Sequence, residues 1–108
     1  MLSGHPATGR VATVHLARNW LTSPYRYDVH PDDLVRIVHR IEQCGEELVA
    51  IFHSHPAGPA VPSAADVREA RYRVVQLVGD PSTGEVRAWR IHGSEIAEVP
   101  LAIADAAA

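Results

Sequence analysis

An α/β domain, with a mixed, partly antiparallel β-sheet and flanking helices, is the fold class this sequence predicts. Three observations carry it. Residues 31–43 repeat apolar side chains at helical spacing; 47–55 and 73–79 are apolar runs of strand length; 85–91 alternate behind a turn. The order is strand, helix, strand, helix, then a run of strands, in two or three layers, over one domain of 108 residues.

Each element has a local reason. Residues 10–19, "RVATVHLARN", are rich in β-branched side chains and predict a strand. "WLTSPYRYDV", 20–29, is extended: Pro24 breaks any helix, and Tyr25 and Tyr27 share a face. The helix that follows has Pro31 at its first position, Asp32 and Asp33 at its positive end, and Leu34, Ile37, Val38 and Ile41 as one stripe. Gly45 is placed to end it in the left-handed conformation. "ELVAIFHSH" predicts a strand buried on both faces. A loop with Pro56, Pro59 and Pro62 leads into a short helix, "SAADVREARY". "RVVQLVG" is a buried strand, "DPSTG" a turn and "EVRAWRI" its hairpin partner, with "SEIAEVPLAI" as a further strand.

Composition narrows the function classes. The formal net charge is −3 and no Lys/Arg block stands out, so no nucleic-acid partner is expected. Arg68, Arg71 and Arg73 are expected on one solvated helix face. No apolar run approaches the roughly 20 residues of a membrane helix. Cys44, the single cysteine, rules out an intrachain disulfide and a multi-cysteine zinc site, and a reducing cytoplasmic setting is expected. Cys44 is expected to be buried, Trp20 and Trp89 to pack, and His30 to cap a helix or lie at the surface.

The chemistry concentrates in "HSHPAGPAVPSAAD", 53–66. Side chains alternate along a strand, so His53 and His55 share a face, about 6–7 Å apart at their backbones. They sit at the C-terminal end of a buried strand, where ligands of α/β sheets collect. Asp66 can add an oxygen donor, completing a two-histidine, one-carboxylate zinc shell with an open position. The same letters also spell a capping box: Ser63 accepting from a first-turn N–H while Asp66 reaches back. Spacing alone leaves both readings open, and they compete for the Asp66 carboxylate.

The segment resembles the signature of the JAMM (MPN+) metalloprotease family: histidine, any residue, histidine, seven residues, serine, two residues, aspartate. His53, His55, Ser63 and Asp66 match it, and the flanks "SPYRY", "PDDL" and "GEVRAWRI" are similar to the bacterial and archaeal branch. The resemblance runs from Leu2 to the last strand and implies a cytidine-deaminase-like architecture. It implies Zn2+ held by His53, His55 and Asp66, and Ser63 as the catalytic group that binds the oxyanion. The implied reaction is hydrolysis of an amide at the C-terminus of a ubiquitin-like or sulfur-carrier protein. Eukaryotic members cleave isopeptides. Bacterial members release cysteine or an extension after Gly-Gly.

The resemblance also implies a glutamate on an earlier strand, as general base and then acid, just before a segment that "LSG" at 2–4 would end. Glu42, Glu46 and Glu47 are wrongly placed for it, so an N-terminally truncated domain is expected. Its exposed sheet edge would invite a homodimer or aggregation. The alternatives are a zinc-binding interaction module without turnover, and a DNA-repair-associated relative, disfavoured by Ser54 where that group carries asparagine.

Overall fold

The structure of the chain, a computed structural model, describes residues 1–18, 29–55, 59–70 and 74–102. In chain order it has β1 (Leu2–His5), β2 (Arg10–Val14), α1 (Pro31–Gln43), β3 (Glu47–Ser54), α2 (Ala64–Glu69), β4 (Val75–Asp80), β5 (Glu85–His92) and β6 (Glu95–Val99). The strands form one sheet in the order β2-β1-β3-β4-β5-β6. The β3–β4 pair is parallel and the other four pairs are antiparallel, so the sheet is mixed as expected. No helix among the described residues is long and apolar enough to cross a membrane.

β1 is an element the sequence reading did not single out as a strand. "LSGH" has no alternation to announce it, yet it lies between β2 and β3 and is antiparallel to both. Gly4 is obligatory there: a Cβ would run into the Arg10 carbonyl oxygen and come within 2.9 Å of Ala12 N, at the irregularity between Ser3 and Gly4. The strand expected over 10–19 stops at Val14. His15 turns inward, its ring Nε2 2.7 Å from the fully buried Ser3 hydroxyl. Ser3 in turn donates to Glu46 Oε1, which also accepts from Thr13. Arg18 then folds onto α1.

α1 begins where Pro31 allows. His30 is the N-cap, and its ring Nδ1 accepts from Asp32 N at 3.2 Å, so its expected capping role holds. Ile37 and Ile41 are buried against Met1, with Leu34, Val29 and Leu48 packed around them. Val38, placed in the stripe, is instead 43% exposed. Gly45, at φ 66°, ends the helix as expected. Cys44 corrects the sequence reading: it is exposed, because the C-cap position turns it away from the packed stripe.

The expectation that β3 is buried on both faces also needs correction. Ala50 and Ile51 are buried, but Phe52 is 47% exposed. Its ring lies over Gly79 of β4, which has no side chain to wall it in. The β4–β5 hairpin closes through residues 81–84, with Gly84 at φ 73°. Arg68 is exposed as expected. Trp20, Pro24, Tyr25, Tyr27, Pro56, Arg71, Arg73 and Ala104–Ala108 lie outside the described residues.

Candidate metal centre

His53 occupies the next-to-last position of β3, opposite Val78 of β4, on the face shared with the buried Ile51. One residue past the strand, His55 N still donates to Gly79 O at 2.9 Å, so the ladder holds its backbone too. Both rings therefore rise from the same side of a pinned strand end, their centroids 5.1 Å apart.

The loop returns the chain to them. Trp89 of β5 is buried and its indole N–H donates to Ala60 O at 2.9 Å, which ties the loop to the sheet. Ser63 then caps α2: its Oγ accepts from Asp66 N at 3.1 Å, while Ser63 N donates to Asp66 Oδ2 at 2.8 Å. Asp66 is buried, with Oδ2 2.9 Å from His55 Nε2 and Oδ1 3.2 Å from His53 Nε2. The two readings of Asp66 that competed in the sequence thus coexist. One carboxylate, with two oxygens and several lone pairs, caps the helix and faces both imidazoles.

Burial acts to raise the Asp66 pKa, but the His53 contact and the Ser63 N–H outweigh it and hold the carboxyl well below the usual range. The group is an anion at neutral pH. His55 is oriented as well: its Nδ1 lies 3.0 Å from the Pro59 carbonyl oxygen, which can only accept, while its Nε2 lies 2.9 Å from Asp66 Oδ2.

Donor atoms of His53, His55 and Asp66 all lie within 4.8 Å of one another. Tetrahedral ligands about 2.0–2.1 Å from a zinc ion stand about 3.3 Å apart, so the 2.9 and 3.2 Å contacts are close to what such a shell needs. The donor types and their preset orientation fit a divalent metal. The three expected metal donors meet here, and Ser63 stands beside them as the cap of α2, its Oγ accepting from Asp66 N. Glu46 and Glu47 stand at the opposite end of β3, roughly 20 Å from His53 along the strand. Two contributors escaped the sequence reading. Trp89 was read as packing, and its tie to Ala60 spans 29 residues with no local signal. The Pro59 carbonyl is invisible to any side-chain motif.

Comparison with known proteins agrees with this geometry. The family described as prokaryotic homologs of the JAB domain matches residues 1–92. A desampylase of Pyrococcus furiosus is 34% identical over 96 residues, covering 87% of this chain and 68% of that protein. A probable TtuB-protein conjugate cleaving protease of Thermus thermophilus is 42% identical over 76 residues, covering 69% and 50%. A CysO-cysteine peptidase of Mycobacterium tuberculosis is 31% identical over 88 residues, covering 77% and 60%. The solution structure of protein DSY2949 from Desulfitobacterium hafniense superposes with a TM-score of 0.74 at 26% identity, covering 91% of this chain and 71% of that one.

Proposed function

Because the chain belongs to the prokaryotic JAB-domain family, which matches it over residues 1–92, we propose that it is a zinc-dependent hydrolase of amide bonds at the C-terminus of a ubiquitin-like or sulfur-carrier protein. The observation that carries this is the meeting of His53, His55 and Asp66 within 4.8 Å at a pinned strand end. The names of the relatives, a desampylase, a TtuB-conjugate protease and a CysO-cysteine peptidase, supply the substrate class. A cytoplasmic setting, in which the exposed Cys44 thiol stays reduced, belongs to the same reading.

His53 and His55 through Nε2, and Asp66 through a carboxylate oxygen, would hold the ion. A bound zinc supplies a Lewis acid that polarises a carbonyl and acidifies water. The remaining work belongs to the chain. The Pro59 carbonyl sets the His55 tautomer, and the Ser63 N–H keeps Asp66 ionised and oriented. The Ser63 hydroxyl, held from behind by Asp66 N, donates its hydrogen to the oxyanion that develops as the carbonyl is attacked.

One observation favours a second reading, zinc binding without turnover. Among the described residues, the group that meets at the site holds a single carboxylate, Asp66, and that one is committed to the histidines and the cap. A proton-transfer carboxylate is not part of that group. One experiment separates the two. The zinc-loaded chain is incubated with a ubiquitin-like protein extended beyond its C-terminal Gly-Gly, and the products are weighed by mass spectrometry. Cleavage after Gly-Gly that stops with chelator or with Asp66→Ala is the expected result. Zinc at about one per chain with a substrate that stays intact even when the chain is extended upstream would favour the second reading, and no zinc would defeat both.

A further inference from the structure

The face of the sheet that bears His53 carries a second set of side chains. His53 stands opposite Val78, and Val78 opposite Arg87, so the three lie in one row across β3, β4 and β5. Residues opposite each other project from one face, and strands lie about 4.8 Å apart, so the Arg87 backbone is about 10 Å from that of His53. Trp89, two residues on, shares the face, and so does Glu98, its partner on β6. These three side chains are joined. The Arg87 guanidinium lies over the Trp89 ring, with Cζ 4.8 Å from the centroid, within reach of a cation–π contact. Arg87 Nε and Nη2 donate to the two carboxylate oxygens of Glu98 at 2.7 and 2.8 Å, a fork that fixes the plane of the guanidinium. The indole N–H in turn donates to the carbonyl of the fully buried Ala60. The carbonyl one residue earlier, on Pro59, meets His55 Nδ1 at 3.0 Å. Two consecutive carbonyls of one loop thus serve the indole and a metal donor.

The geometry points to Arg87 and Glu98 as positioning residues of the metal centre, acting through Trp89. The reading rests on the metal centre proposed above and extends it to β6, the edge strand three places from the strand that bears His53. Glu98 holds Arg87 in plane, Arg87 covers one side of the indole, and the indole fixes Ala60. The Pro59 carbonyl and the Ala60 nitrogen belong to one planar peptide unit, so whatever holds Ala60 restrains the carbonyl that orients His55. Neither member of the ion pair is buried, at 33% and 48% exposed, and such a pair adds little to the stability of a fold. Its effect is therefore expected at the centre. The sign of that effect is distinctive. By charge alone, removing a cation near the site would tighten the binding of a divalent ion. Removing a residue that positions the donors weakens it.

Zinc affinity, read by competition with a chelating dye, tests this through a double-mutant cycle. Arg87→Gln is expected to weaken zinc binding about three- to fivefold, the worth of one cation–π contact at a partly exposed site. Glu98→Gln leaves the cation in place and is expected to weaken it about twofold, which carries the test where Arg87→Gln does not fold. In a Trp89→Phe background no indole N–H holds Ala60, and there Arg87→Gln is expected to change the affinity by less than about 1.5-fold. Hydrogen exchange in chelator gives a readout that needs no metal. The Trp89 indole N–H is expected to exchange about three- to fivefold faster in Arg87→Gln, while the amide of the buried Val78 keeps its rate. Unchanged or tighter zinc binding in Arg87→Gln and Glu98→Gln overturns the assignment and leaves the metal centre standing. An equal loss with and without the indole also overturns it, because the effect then bypasses Trp89. An indole that exchanges no faster in Arg87→Gln overturns it whether or not zinc binds. No zinc uptake by the unmutated chain sinks the metal centre instead, and faster indole exchange in Arg87→Gln would still uphold the hold of Arg87 on the loop.

Discussion

Replacing Asp66 by asparagine and by alanine separates its two duties. The carboxylate caps α2 through Ser63 N and faces both histidines. Asparagine keeps an oxygen that can accept from Ser63 N but loses the charge that holds a divalent ion. Alanine loses both. Removal of a helix cap costs about 1 kcal/mol, which in a domain of this size lowers the melting temperature by about 4–8 °C. Zinc at one hundred times its dissociation constant stabilises the folded chain by about 2.7 kcal/mol, a rise of about 10–20 °C. Differential scanning fluorimetry with chelator and with zinc reads both quantities. Without metal, Asp66→Asn should melt within about 2 °C of the unmutated chain and Asp66→Ala about 4–8 °C lower. With zinc, the unmutated chain should gain about 10–20 °C and both variants less than a third of that. A full zinc shift in Asp66→Asn would show that Asp66 is a cap alone and refute the metal shell as drawn.

Other outcomes follow from the same structure. The Asp33 carboxyl is held well below its ordinary range, first by the Arg18 side-chain hydrogen bonds and then by the Arg18 backbone N–H. A depressed folded pKa gives stability that is complete above the unfolded value of about 3.9 and drains away as pH falls through the folded one. Urea midpoints between about pH 5 and 2 should therefore fall less steeply for Asp33→Asn than for the unmutated chain, and equal slopes would contradict the pairing. Gly4→Ala must push apart the backbones of β1 and β2, since the new Cβ meets the Arg10 carbonyl. A loss of about 2–3 kcal/mol in urea unfolding is expected, and a change below about 0.5 kcal/mol would disprove that crowding. Trp89→Phe keeps an aromatic ring but leaves the Ala60 carbonyl without its donor, costing about 1–3 kcal/mol. It should also weaken zinc binding several-fold in a competition titration, because the loop that returns Asp66 is untied. Unchanged affinity would limit Trp89 to packing.

The sequence by itself determined the elements with a repeating signal. The α1 stripe, the Pro31 start and the Gly45 stop are local, because helix periodicity and capping are properties of neighbours in the chain. The metal-donor set was legible for a related reason. Alternation places His53 and His55 on one face, and a short loop can only return Asp66 nearby, so a few residues at fixed spacing carry the geometry. What the sequence could not reveal depended on contacts made across the chain. β1 is a strand because β2 and β3 flank it, although four residues of "LSGH" show no pattern of their own. Cys44 and Phe52 were misplaced because apolar character does not say which neighbour is missing: a helix end turns one outward, and Gly79 leaves the other half open. Asp33 stands at the positive end of the helix as read, and is also a buried counter-ion for Arg18, 15 residues earlier, which nothing local announces. Whether the Asp66 carboxylate caps or faces the histidines was likewise undecided by spacing. Only the packed loop, anchored by Trp89, brings Asp66 to the two histidines so that one carboxylate does both.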